Sequence, residues 1–131
     1  NFDPNLQGIT DILSFDMTNF IPLAEVDNYA YLFYVKSLWS VYPIPGWGLD
    51  QEHYIKVFLS NDEGSFYLRF YSDPIDETII DYDPGTYQSV IVVAIELTNT
   101  GKTSENIMSE LKSAGVDTSD YNAVVDYFGL K

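Results

Sequence analysis

The chain contains no cysteine. Disulfides, thiolate nucleophiles and cysteine-built zinc sites are thereby excluded. It has one histidine, His53, and 6 basic side chains against 20 acidic ones in 131 residues, a formal net charge of −14. A surface of that sign repels nucleic-acid phosphates and anionic lipid, so no nucleic-acid binding is expected, and a partner should be neutral or basic. No apolar run approaches the ~18 residues that suggest a membrane span. The longest, Val90 to Ile95, has the length of a strand. The chain starts at Asn1 without a Met, which fits either processing, as in an exported or cell-envelope protein, or trimming such as removal of a tag.

Against these absences, 46% of the residues are apolar and 16% aromatic. That is more buried surface than a disordered chain can offer, and the length fits one domain over 1–131, with 1–11 a looser N-terminal segment. Ile12 to Met17 is expected to be a short strand, followed by a connection through Pro22. The run Tyr29 to Pro45 is rich in aromatic and β-branched residues on both faces, which predicts a central strand ended by the turn residues of "PIPGWG". Two further β-type runs flank Asn61-Asp62-Glu63-Gly64, and a hairpin follows, with Gly64 supplying a positive φ. Thr78 to Ile80 reads as a short strand and Thr86 to Leu97 as a long one. The centre of the long strand does not alternate, so both its faces should be covered, by helices on one side of a sheet or inside a sandwich. The turn Asp83-Pro84-Gly85-Thr86-Tyr87 before it resembles one found in bacterial Ig-like β-sandwiches, where the resemblance implies that the Tyr forms a corner.

From Ser104 the apolar period lengthens. Ile107, Met108, Leu111 and Ala114 mark one helix face, with Thr103 or Ser104 as its cap and Gly115 as its end. Tyr121, Val124, Val125 and Phe128 mark a second helix, capped by Asp117 or Thr118 and ended by Gly129. Strands followed by helices predict an α+β fold: an antiparallel β-sheet of about 5–6 strands, with two short C-terminal helices packed on one face.

Catalytic signatures fail one after another. His53 has Asp50 and Glu52 nearby, but neighbouring strand residues point to opposite faces and no Gly-x-Ser-x-Gly elbow is present, so a surface histidine is expected. Gly101-Lys102-Thr103 follows a strand like the end of a phosphate-binding loop, yet the position of its first glycine holds Glu96. Asp81-x-Asp83 followed by Gly85 begins like a calcium loop, but Gly85 takes a ligand position and the closing glutamate is missing. The expectation is a protein that is not an enzyme, with no catalytic residue, no metal and no cofactor.

One asymmetry remains. Carboxylates crowd the turns between Asp50 and Asp83, where only Lys56 and Arg69 oppose them. If those turns are neighbours they form one negative field, which would steer a basic protein. The expected function is therefore non-catalytic binding of a basic partner protein, inhibitor-like or immunity-like. Asp62, Glu63, Asp76, Glu77, Asp81 and Asp83 would carry the electrostatics, with Tyr82 and Trp47 as aromatic anchors. Trp39 is expected in the core. The alternative is an exported structural or adhesion-like module that uses its aromatic surface and sheet edges, with self-association.

Overall fold

The computed structural model describes residues 2–4, 12–48, 53–75, 78–81, 87–97 and 104–129. Its strands are β1 (Ile12–Asp16), β2 (Tyr29–Lys36), β3 (Val41–Ile44), β4 (Gly46–Trp47), β5 (Tyr54–Ser60), β6 (Ser65–Tyr71) and β7 (Ser89–Glu96). Two helices follow, α1 (Ser104–Ser113) and α2 (Tyr121–Phe128). The α+β class is as expected. The strands, however, divide between two antiparallel sheets, a four-stranded one in the order β1-β6-β5-β4 and a three-stranded one in the order β3-β2-β7.

The two sheets face each other. Leu13 and Phe15 of β1, Ile55 of β5, and Phe66, Leu68 and Phe70 of β6 share a core with Val35 of β2, Ile44 of β3 and Val90 of β7. A second core lies on the other side of the three-stranded sheet. There Ala30, Tyr34, Ile91, Val93 and Ile95 meet Ile107 and Leu111 of α1 and Val124 of α2. The molecule is thus layered sheet, sheet, helices. That arrangement explains why β7 does not alternate: Val90 faces the opposing sheet, while Ile91, Val93 and Ile95 face the helices.

The run read as one strand from Tyr29 to Pro45 is two. Ser37 turns the chain, donating its backbone N–H to Ser40 O at 2.8 Å, while its Oγ accepts from the backbone N–H groups of Trp39 and Ser40. A serine that satisfies a tight turn from its side chain lets an apolar run reverse without Gly or Pro. Trp39, expected in the core, sits on this turn and is 81% exposed. "PIPG" is not all loop either. Pro43 lies in β3, an edge strand where its missing N–H costs no ladder bond, and Gly46–Trp47 pairs with β5 in the other sheet.

The hairpin over Asn61–Gly64 forms as expected. Gly64 has φ +64°, and a Cβ there would press on Thr18 of the next loop. Thr78–Ile80 is reduced to a single bridge, Tyr71 to Ile79. At the C-terminus Asp120, rather than Asp117 or Thr118, caps α2, accepting from Ala123 N at 3.2 Å. Asp117 instead closes its own turn, accepting from Ser119 N at 3.0 Å and Ser119 Oγ at 2.7 Å. Thr103 and the turn at Pro84-Gly85 lie outside the described residues.

Tyr34 ties the helical layer to the sheet, donating from its buried hydroxyl to Thr118 O at 2.7 Å. Burial, then the charges of Tyr121, Asp120 and Asp117, push its pKa up to about 12. Tyr31, bonded to Val26 O at 2.6 Å, is likewise pushed up to about 12, chiefly by burial. In the unfolded chain both phenols ionise near 10.0. Their stabilising contribution is therefore whole below that pH and is lost as pH rises through the folded value. The melting temperature is expected to fall between about pH 10 and 12, and Tyr34→Phe to flatten that slope. Equal slopes for both proteins in a calorimetric pH series would refute this.

Candidate functional site

A hairpin puts its turn and its open end at opposite poles, and this separates the residues read from the sequence. Asp62 and Glu63 lie exposed on the β5–β6 turn. Trp47 and Asp81 lie at the other pole: Trp47 pairs with Tyr54, which pairs with Tyr71, and Asp81 follows the bridge from Tyr71 to Ile79. The seven residues of β6 between the poles span about 20 Å. Asp76, Glu77, Tyr82 and Asp83 lie outside the described residues. Of the sequence-read set, the structure brings together Asp62 with Glu63, while Trp47 and Asp81 share the opposite pole with β5 and β6 between them.

The turn pole gathers acids the sequence reading did not connect. Asp16 stands opposite Ser65, and Met17 N donates to Gly64 O at 2.9 Å, so the loop after β1 lies against the hairpin turn. Asp27 accepts from the Asn61 side chain. Glu96 stands opposite Tyr29, where β2 begins. Asp16, Glu25, Asp27, Asp62, Glu63 and Glu96 therefore share one end of the sandwich. The basic side chains of the described residues start elsewhere. Lys36 ends β2 at the far pole, Lys56 and Arg69 are mid-strand, and Lys112 lies in the last turn of α1.

Hydrogen bonds organise this acidic end. Thr18 donates both its backbone N–H and its hydroxyl to Asp16 Oδ1, at 2.8 and 2.7 Å, and these bonds hold the Asp16 carboxyl below its ordinary pKa. Glu63 Oε1 accepts from Tyr67 and from Ser60, at 3.1 and 3.2 Å. Asp16, Asp27 and Glu63 are thus anchored rather than free to turn. Two apolar side chains stand in the same loop region, Phe20 at 69% exposure and Leu23 at 51%. The end offers fixed negative charge beside apolar contact area.

Comparison with known proteins finds no matching family model, no matching curated protein and no matching solved structure. The chemistry must be read from the chain itself.

Two other places hold candidate groups. His53, expected at the surface, is buried between the sheets, with a ring nitrogen 2.7 Å from Tyr87 Oη and its ring edge-on to Phe70. The pair joins the segment before β5 to the segment before β7, a structural crosslink between the two sheets. Tyr87, read from the sequence as a corner residue, is buried, with its hydroxyl bonded to His53; the turn before it lies outside the described residues. The outer face of the four-stranded sheet is aromatic. The register places Trp47, Tyr54 and Tyr71 in one row, Lys56 and Arg69 in the next, and Phe58 with Tyr67 in a third. Lys56 Nζ lies 5.0 Å above the Tyr71 ring, and Trp47 meets Tyr54 edge-on at 5.5 Å. Alternation along β5 and β6 predicts such a face, but only the tertiary structure shows that the helices α1 and α2 pack on the other sheet instead.

Proposed function

We propose that the protein is a non-catalytic binding domain whose acidic surface engages a basic partner protein, in the manner of an inhibitor or immunity-like protein. The observation that carries this is the acidic end itself. Six carboxylates from four separate chain segments converge there, with Phe20 and Leu23 exposed among them. Fixed like charges repel one another and cost stability, so such a concentration is a reason to look for a cationic partner. Exposed aromatic and aliphatic side chains supply the desolvated contact that charges at a rim do not.

The test begins with capture of basic proteins from a lysate at about 50 and 500 mM salt, where screening lengths differ several-fold. Association rates of the captured protein are then compared for the native chain and the double variant Asp62→Lys, Glu63→Lys. Steering by such a field is worth roughly 10-fold or more in rate, so the double variant should associate at least that much more slowly at low salt. An unchanged rate rejects the assignment of these residues.

A second reading has its own observation, the aromatic outer face with Trp47, Tyr54, Phe58 and Tyr67. A face of that kind suits sugar rings or a second copy of the chain, as in an exported adhesion-like module. The two readings separate on salt: contacts made by aromatic faces change little between the two conditions, whereas charge-steered capture weakens steeply.

A further inference from the structure

β7 is an edge strand of its sheet, paired with β2 along one side. In the β2–β7 ladder Val90 stands opposite Val35, Val92 opposite Phe33 and Ala94 opposite Tyr31. Val90 turns its backbone groups away from β2: its N–H and C=O both bond Phe2, each at 2.8 Å. Antiparallel alternation repeats every second residue, so Val92 and Ala94 turn theirs the same way. Among the described residues no backbone hydrogen bond reaches Val92 or Ala94 from that side. An open edge of this kind is a template for another strand.

Beside the edge the two sheets part. A cavity of about 190 Å³ opens there, lined by Phe2, Met17, Phe20, Ile21, Val92 and Ala94. Phe2 shows what the seam accepts. It lies antiparallel to β7, and its ring enters between the sheets, 5.5 Å from Phe15 and Phe66 and 5.7 Å from Phe20. A strand continuing this pairing towards the end of β7 would point alternate side chains into the cavity, opposite Val92 and Ala94. Its next alternate residue would stand opposite Glu96, at the acidic end.

We propose that β7 takes up an extended segment of a basic partner protein by strand addition, antiparallel to β7, with the pattern basic-x-apolar-x-apolar. The inference rests on the acidic-surface reading above and says where that partner docks. Direction follows from the pairing: the added strand begins at Glu96 and runs towards Phe2, so the basic residue leads. Backbone bonds to Val92 and Ala94 would hold the strand, the seam would select its apolar residues, and the acids would select its leading cation.

The probe is a capped peptide, acetyl-Lys-Thr-Val-Thr-Phe-amide, titrated into isotope-labelled protein that carries any tag at its C-terminus. The amide signals of Val92 and Ala94 should shift and gain exchange protection, saturating below about 1 mM peptide. N-methylation of the peptide Val, whose amide would face β7, should weaken binding at least about tenfold, while N-methylation of the preceding Thr should not. Ala94→Pro removes an edge donor that the β2 ladder does not use, and proline is tolerated on an edge strand, so this variant should fold and bind at least about tenfold more weakly. No saturation, or binding indifferent to both changes, overturns the proposal. So does a dimer of the free protein that Ala94→Pro dissociates, because the occupant would then be a second copy. If Ala94→Pro still captures the basic partner while the Asp62, Glu63 variant does not, strand addition fails and the acidic-surface reading stands. If neither variant changes capture, both fail.

Discussion

Phe66→Ala should destabilise the protein by about 3–5 kcal/mol, the range for truncating a large aromatic in a close-packed core. Phe66 is 0% exposed and lies where both sheets and the N-terminal segment meet. Its ring is 5.2 Å from Phe15 on the adjacent strand, 5.0 Å from Phe33 on the opposing sheet and 5.5 Å from Phe2. The three neighbouring rings cannot collapse into the space that Phe66 vacates, because each is held by its own chain segment, so most of the cavity should persist. A loss of this size is a large share of the roughly 5–15 kcal/mol that holds a typical domain together. Phe58 makes the control. It lies on the same sheet but on the outer face, 47% exposed, and Phe58→Ala should cost under about 1 kcal/mol. Urea titrations of the two variants decide it; similar midpoints would mean that the sheets do not share this core.

Gly48→Ala is the second large effect. A Cβ at this position would come within 2.5 Å of His53 Nε2 and would overlap the Tyr87 hydroxyl. Those two groups bond each other across the sandwich, so the methyl group must either push them apart or move the backbone. Overpacking costs about 1–3 kcal/mol, and a buried hydrogen bond left broken costs a similar amount, so the loss should be on the order of 3 kcal/mol. Tyr87→Phe removes the hydroxyl without adding volume and should cost only about 1–2 kcal/mol. It also clears space for the methyl. Gly48→Ala should therefore be milder in the Tyr87→Phe background than alone, and strict additivity of the two losses in a double-mutant cycle would argue against the clash.

The local elements were largely legible in the sequence. The β5–β6 hairpin announced itself through two β-type runs and a glycine at the one turn position that adopts positive φ. The helices showed through apolar spacing, and Gly129 does end α2 in the left-handed conformation. The turn between β2 and β3 was not legible, because Ser37 replaces the usual glycine or proline with side-chain hydrogen bonds. The cap of α2, expected at Asp117 or Thr118, lies two or three residues later for a related reason. Asp117 and Asp120 are both good caps, and only the path of the chain determines which one the helix uses.

Charge was legible as a total and not as a map. A net charge of −14 limits the classes of partner whatever the fold, since it depends only on composition. Where the charges gather does not. Asp62 and Asp81 are 19 positions apart in a row of acidic turns, yet a hairpin sends them to opposite poles, while Asp16, Asp27 and Glu96, distant in sequence, join Asp62 at one end. By itself the sequence determined the acidity, the absence of thiol chemistry, the hairpin and the strands-then-helices order, because these rest on composition and on interactions between near neighbours. The tertiary structure alone decided that the strands form two sheets, that His53 is buried against Tyr87, which acids lie together at one end, and that among the described residues no strand pairs with β7 beside the apolar seam. Each of these depends on which strands lie side by side, and local propensity does not encode that pairing.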